Sequence, residues 1–499
     1  MTRLISTPVA GPMPLVSPRD ETWNPALDAA LVAPTPSVLA RLHEPGALVV
    51  TTGQQPGLFG GPLYTVHKAI AAVALARELT LRWDRPVIPV FWLAGDDHDH
   101  AEAGRAAWID SRGALVEWSL PARARDAVQR PMYQEPLGPA VFDGIALLRA
   151  GLPSSDLSAI ERWWTSERTV HAAFAGWVAE LLAPLGVACV DPTHHAFKRA
   201  QLPLIATALH RAGDLDAALA KVEDAGTGID AGAGATLVFV ETDVGRDRLV
   251  IDGDGFRARR SGQHFTRSAM HSLLERDPSR FSANVLLRPV VESACLPTVA
   301  YVAGPGELRY LERQVSVLFR LLDQPAPAAV PRWGGLVAEP FVDRLLDRLD
   351  LVAGDVMQDD GTLAREILRR DLPDAVEPAL DALRDTISTS GTALHEAGRE
   401  IDAVLDRAIG GRLRRAAAIV DDLERLLERH LRRRSDIAHT QFQRITTALL
   451  PGGVPQERVL SSAPMYAMHG ATWIDAAVTA ATDWASTVVT PSSSGALHP

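Results

Sequence analysis

The chain has 499 residues, of which 47% are hydrophobic and 22% charged, and its formal net charge is −11. Such a composition excludes wholesale disorder, the net charge and interspersed signs speak against a nucleic-acid partner, and the length calls for more than one hydrophobic core. No run reaches the roughly 18 apolar residues of a membrane span and the N-terminus lacks a signal peptide's apolar core, so no membrane partner and a cytoplasmic location are expected.

Residues 1–45 are rich in proline and alanine, carry a helical candidate from Asn24 to Ala33, and read as an N-terminal wrap. Leu48–Thr51 and Val87–Leu93 are short continuous apolar runs, the mark of parallel strands buried on both faces, and Tyr64–Leu81 between them has helical spacing. Residues 1–107 therefore hold the wrap and the first half of a Rossmann-like α/β core, beginning with a right-handed βαβ unit. The first strand runs into a loop with glycines at 53, 57, 60 and 61, and this loop feeds a helix N-terminus whose free N–H groups and dipole suit a phosphate or carboxylate. On that helix Tyr64, His67 and Lys68 stand at i, i+3 and i+4 and share one face. Lys68 is one of only three lysines, with Lys198 and Lys221, in an arginine-rich chain, which invites a chemical reason for its compact ammonium. The second strand ends in Gly95-Asp96-Asp97-His98-Asp99-His100.

Residues 108–182 break the rhythm and form a first connecting insertion. Ala107–Leu120 reads as further strand, Pro131–Pro139 as irregular, and Ile160–Leu182 as helix, with Trp163, Trp164, Phe174 and Trp177 as packing residues. The core resumes over 183–212 with a strand at Gly186–Asp191, the polar Pro192-Thr193-His194-His195, and a helix from Ala196 to Arg211. A second insertion, 213–284, holds a hairpin of Thr236–Thr242 and Arg248–Ile251; its Asp-Gly turns lack the spacing and terminal glutamate of a calcium loop. Over 285–331 strands are expected at Leu286–Val291 and Thr298–Val302, then a helix from Gly304-Pro305-Gly306-Glu307 to Leu322, with Pro325–Pro331 and Gly334-Gly335 as linker. Cys189 and Cys295, the only cysteines, lie in apolar surroundings and read as buried, inert thiols.

From 332 to 447 leucines and isoleucines recur at three-, four- and seven-residue steps, which predicts an α-helical antiparallel coiled-coil arm turning at Gly410-Gly411. The Arg412–Arg415 and Arg432–Arg434 runs read as solvated faces, either of which could instead meet a nucleotide phosphate. Residues 448–499 return to the core and end in a tail expected to be disordered from Ser492.

The glycine loop is neither a Walker A loop nor a Gly-x-Gly-x-x-Gly fingerprint. A Rossmann-like sheet should still gather its ligand residues at the carboxyl ends of the strands, where Gln54, Gln55, Tyr64, His67, Asp96, Asp97, His98 and His194 would meet. The Asp96 to His100 cluster admits a rival reading, a metal-dependent hydrolase, although neighbours on an extended segment point apart and at most two or three could reach one ion. A third reading is a coiled-coil scaffold on a degenerate core.

Several blocks, in this order from about residue 50 to 460, make a stronger case: Thr52-Gly53-Gln54-Gln55, Gly61-Pro62-Leu63-Tyr64-Thr65-Val66-His67-Lys68, Pro89-Val90-Phe91-Trp92-Leu93-Ala94-Gly95-Asp96-Asp97-His98-Asp99, Phe281 to Pro289, Leu296-Pro297-Thr298, Tyr301 to Glu307 with Tyr310, and Gln456-Glu457-Arg458. They resemble the signature blocks of the bacillithiol biosynthesis cysteine-adding enzymes. The resemblance implies a Rossmann core, a coiled coil supporting a homodimer, and a ligase that joins the carboxyl group of L-cysteine to the amine of glucosaminyl-malate. It also implies ATP or a related nucleotide, with Mg2+, to activate the carboxyl as an acyl-adenylate or acyl-phosphate, although the His-x-Gly-His signature of class I aminoacyl-tRNA synthetases is absent. Under it, His67, Lys68, Asp96, Asp97 and His98 are catalytic, with no metal-ligand set assigned. Thr52, Gly53, Gln54, Gln55, Gly60, Gly61, Tyr64, Asp99, Arg288, Gly304, Gly306, Glu307 and Tyr310 bind substrate or nucleotide.

Overall fold

The computed structural model describes residues 3–11, 16–124, 126–222, 234–359, 361–369, 375–434 and 436–489. In chain order its strands are β1 (Arg3–Ser6), β2 (Leu48–Gln54), β3 (Val87–Leu93), β4 (Arg105–Ile109), β5 (Leu115–Ser119), β6 (Ala188–Val190) and β7 (Ala235–Thr242). There follow β8 (Gly245–Asp252), β9 (Gly255–Ala258), β10 (His264–Phe265), β11 (Phe281–Ala283), β12 (Thr298–Ala303), β13 (Ala328–Pro331) and β14 (Gly335–Ala338). The chain divides into two compact units, one of residues 2–337 with 456–499 and the other of 338–455.

The larger unit is built on a five-stranded sheet in the order β13-β12-β2-β3-β6 with every pairing parallel. Every residue of β3 and β12 is buried, as is all of β2 except Gln54, because helices cover both faces. Pro89 has no N–H to donate, and β6 pairs with β3 only from Val90 onward, so the proline is accommodated within the sheet. The Tyr64–Trp83 helix lies between this sheet and the C-terminal Ser462–Val489 helix. Ala69, Ala71, Ala72, Ala74 and Ala76 on one and Ala463, Ala477, Ala481 and Ala485 on the other are buried, and their small side chains allow close approach.

The first insertion contributes the antiparallel β4–β5 hairpin and two helices, Ser158–Trp163 and Val170–Leu182, in place of the single helix expected. The break falls at Trp164, whose indole is fully buried against Phe59 and Trp177. The helix expected from Ala196 is likewise two, His195–Ala200 and Leu202–His210, the second opening on Pro203. The second insertion is the antiparallel sheet β10-β9-β8-β7-β11.

Three further expectations are corrected. Leu286–Val291 is not a strand: Asn284 Oδ1 accepts from the N–H groups of Leu286 (3.1 Å) and Leu287 (2.9 Å) and turns the chain into the Arg288–Cys295 helix, with Pro289 in its first turn. The proposed linker contains β13, an edge strand whose partner β12 satisfies one side, and edges are where proline is tolerated in sheets. In the smaller unit two long helices, Val376–Ile401 and Ala403–Arg434, pack antiparallel, but they turn at Asp402 rather than at Gly410-Gly411. Asp402 is extended, and its carboxylate accepts from the N–H groups of Val404 (2.6 Å) and Leu405 (2.8 Å), so it caps the second helix. The tail expected to be disordered lies outside the described residues. Among those described, no helix is long and apolar enough to cross a membrane.

Gly53 sits opposite Trp92 in the β2–β3 register, where an added Cβ would lie 2.7 Å from Trp92 Cβ and 2.8 Å from its carbonyl oxygen. Gly53→Ala must therefore push two central strands apart, and we expect destabilisation of about 1–3 kcal/mol, read as a lower denaturant midpoint. An unchanged midpoint would contradict this register.

Candidate active site

The carboxyl ends of β2, β3 and β12 open into a cavity of about 720 Å3. Of the residues singled out in the sequence, Gly53, Gln54, Gln55, Tyr64, Lys68, Asp96, Asp97, Arg288, Gly304, Gly306, Glu307 and Tyr310 line it. Seven cationic side chains, Lys68, Arg246, Arg248, Arg288, Arg309, Arg332 and Arg458, face it against four carboxylates, Asp96, Asp97, Glu102 and Glu307, so the wall is suited to anionic ligands.

A chain of hydrogen bonds ties the strand ends together. Glu292 pairs with Arg288 (2.9 Å), which donates to the Tyr301 hydroxyl (2.8 Å), and Tyr301 donates to Glu307 Oε1 (2.8 Å). Glu307 Oε2 pairs with Lys68 Nζ at 2.5 Å and accepts from the Gly304 N–H, and Lys68 Nζ also donates to the Gly53 carbonyl oxygen (3.0 Å) and Gln54 Oε1 (3.2 Å). Burial pulls the Lys68 pKa down and Glu307 opposes it, while Glu307 itself is held below the usual carboxylate range because Lys68 and the Gly304 N–H outweigh its burial. Burial, then the nearby carboxylates, push the Tyr64 phenol up to about 12, so it remains protonated.

The other predicted residues lie elsewhere. Thr52 is fully buried and its hydroxyl donates to the Val302 carbonyl oxygen (2.9 Å), joining β2 to β12. The Gly60–Gly61 turn does not cradle an anion, because the C-terminal segment occupies it: Ser462 Oγ donates to the Gly60 carbonyl oxygen, Ser462 N to that of Gly61, and Leu63 N to that of Leu460. Gly60 has φ +87°, and a Cβ there would meet Ser462 and Trp177 at 2.5 and 2.6 Å. His67 is fully buried behind the wall, its ring edge-on to Trp333 and its Nδ1 3.0 Å from Glu457, which also pairs with the cavity residue Arg332. Burial lowers the His67 pKa, so the neutral ring donates to Glu457. His98 also stands behind the wall, its Nδ1 3.1 Å from Arg246, and burial followed by the Arg246 charge lowers its pKa to about 4, which makes it a poor base. Asp99 is exposed and caps the short His100–Ala103 helix by accepting from Glu102 N. His194 is the cap residue of the His195–Ala200 helix and is likewise absent from the lining.

The hydrolase reading loses its ligand set. Asp96 is bound by Lys198 (2.8 and 3.0 Å), His98 by Arg246, and His100 faces Glu135. Among the described residues no group of three or more His, Cys, Asp or Glu side chains is placed to hold a metal. Cys189 is buried and Cys295 half-buried, and burial raises both thiol pKa values to about 12.

Sequence reasoning missed Glu102, Phe239, Arg246, Arg248, Arg332 and Lys198. Lys198 carried a signal in its rarity; it is fully buried and holds Asp96 and the Phe281 carbonyl oxygen together. Arg332 lay just past the stretch taken for a linker. Of the Gln456-Glu457-Arg458 block, Arg458 lines the cavity, Glu457 pairs with Arg332 and His67, and Gln456 bonds both backbone groups of Val337.

Comparison with known proteins bears on the family and its two domains. The N-terminal Rossmann-like domain model of bacillithiol biosynthesis BshC matches residues 28–333, and its C-terminal coiled-coil domain model matches 335–485. The chain belongs to the BshC family. A Heliobacterium modesticaldum member, named Putative cysteine ligase BshC, is 31% identical over 466 residues, covering 89% of this chain and 83% of its own. One from Solibacter usitatus, of the same name, is 30% identical over 464 residues, covering 90% and 86%. A solved structure titled putative arginyl-tRNA synthetase, from Campylobacter jejuni, shares 10% identity at a TM-score of 0.22 over 84% of this chain and 94% of its own, too low to bear on the fold. The cavity at the carboxyl edge of the parallel sheet lies almost wholly within the residues matched by the Rossmann-like domain model, with Arg458 added from beyond them.

Burial would raise the Glu457 carboxyl, but the hydrogen bonds from His67 and Arg332 overcome it and hold the pKa at about 2, below its ordinary 4.5. A depressed folded pKa stabilises the fold above the unfolded value and loses that stability as pH falls through the folded one. The wild type should therefore lose this contribution between about pH 4.5 and 2, and Glu457→Gln should be less stable at pH 7 and flatter across that window. Parallel melting curves for the two proteins would refute it.

Proposed function

We propose that this cavity is the active site of a cysteine ligase that forms an amide between the carboxyl group of L-cysteine and the amine of glucosaminyl-malate, the last step of bacillithiol synthesis. One observation carries the reading: a buried, network-held ammonium, Lys68, stands in the same cavity as an excess of arginines and the carboxylates Asp97 and Glu102. The family membership and its members' names support the same chemistry.

A free carboxylate resists amide formation, so ATP or a related nucleotide would supply the activation. The lining fits such a polyanion: Arg309 and Arg458 are exposed to the cavity, and Asp97 carries a carboxylate held by the N–H groups of His98 (2.6 Å) and Asp99 (3.1 Å) that could share a Mg2+ with nucleotide phosphates. Lys68, fixed by Glu307 and the Gly53 carbonyl oxygen, neutralises charge developing on the activated carboxyl. Glu102 accepts the proton released by the attacking amine; its pKa is raised, first by burial, toward the range a general base needs, against the opposing bond from Gln55. Exposed Leu394, Ile401, Val404 and Ile419 on the helical hairpin support a homodimer through the coiled coil.

The purified protein with ATP, Mg2+, cysteine and glucosaminyl-malate should yield the thiol amide by mass spectrometry. Absence of the product with any nucleoside triphosphate would sink the proposal. Lys68→Met should lower stability, because Glu307 loses its cation, and in the protein that remains folded by circular dichroism should lower kcat by about 10²-fold or more. An unchanged rate would return Lys68 to a structural role.

A further inference from the structure

The cavity's arginines divide by what already holds them. Arg288 and Arg332 are bonded to Glu292 and Glu457. Arg246 on β8 is held at each of its three nitrogens: Nε donates to Ser282 Oγ (2.9 Å), one terminal nitrogen to the Ala283 carbonyl oxygen (2.9 Å), and the other meets His98 (3.1 Å). Arg248 stands two residues along the same strand, so it shares the face of Arg246, and it sits directly opposite Phe239 of β7. Both guanidinium groups lie over the Phe239 ring, at 4.0 Å for Arg246 and 5.5 Å for Arg248. Yet among the described residues the Arg248 guanidinium has no hydrogen bond and no ion pair, although it is half-buried, lines the cavity and faces the like charge of Arg246. A half-buried guanidinium stacked in place without an anion is a vacant half of a bidentate pair.

We propose that Arg248 selects the amine substrate by pairing with its carboxylate, an assignment that rests on the ligase reading above. A carboxylate matches this corner better than a phosphate because Asp96 and Asp97 line the same cavity and give it mixed sign. A molecule carrying both an ammonium and a carboxylate complements this corner, whereas a polyphosphate is served by the exposed Arg309 and Arg458 elsewhere in the lining. The insertion sheet thus confers specificity on a site whose reactive groups come from the parallel core.

Isothermal titration of the full chain with glucosaminyl-malate, with methyl glucosaminide, which lacks the carboxylates, and with ATP tests this. Arg248→Ala should weaken the acidic amine by about tenfold or more, consistent with a charge-assisted pair. It should leave the neutral sugar and ATP within about twofold, and Arg248→Lys should fall between. Unchanged affinity for the acidic amine in Arg248→Ala, or an equal loss for ATP or for the neutral sugar, overturns the assignment while leaving the ligase reading standing. Failure of the wild type to bind glucosaminyl-malate overturns both.

Discussion

The structure turns on the ion pair between Lys68 and Glu307, made where two parallel strands end. A fully buried ammonium is costly unless its charge is matched and its donors are satisfied, and here a carboxylate, a backbone carbonyl and an amide do both. Because Lys68 comes from the helix after β2 and Glu307 from the helix after β12, the pair holds neighbouring strand ends in register. Glu307 then fixes Tyr301, and Tyr301 fixes Arg288, so Lys68 and three side chains from far along the chain become one rigid wall.

Around this wall, elements outside the parallel sheet supply the remaining charge. The antiparallel sheet of the second insertion brings Arg246 and Arg248, and the segment after residue 455 brings Glu457 and Arg458. That segment continues into the Ala-rich helix on the outer face of Tyr64–Trp83, so closure of the core and completion of the cavity are one packing event. The ring of His67, far from acting on substrate, orients Glu457 and through it Arg332, a supporting role that its place one turn into a helix could not disclose.

Much of the fold was legible. The β2 and β3 runs announced themselves because strands buried on both faces are continuously apolar, and the helical hairpin because its leucines repeat with helical period. The misreadings share a cause. Leu286–Val291 is as apolar as a strand, and only the Asn284 cap and Pro289 make it helical. Gly410-Gly411 looked like a breaker, but a capped Asp402 sets the turn because it satisfies the helix's first N–H groups. The whole glycine loop looked like an anion cradle, but while Gly53, Gln54 and Gln55 line the cavity, a segment some 400 residues later fills the Gly60–Gly61 turn.

The sequence by itself determined the class of fold, the family, and the strand ends at which polar residues would collect, because apolar periodicity and local motifs are properties of neighbouring residues. Only the tertiary structure decided which of those polar residues face the cavity. Lys68, Asp97 and Glu307 do, and Thr52, Gly60, His67 and His98 do not. That choice depends on partners such as Val302, Ser462, Glu457 and Arg246, each at least 140 residues away along the chain and brought near by packing that no local pattern encodes.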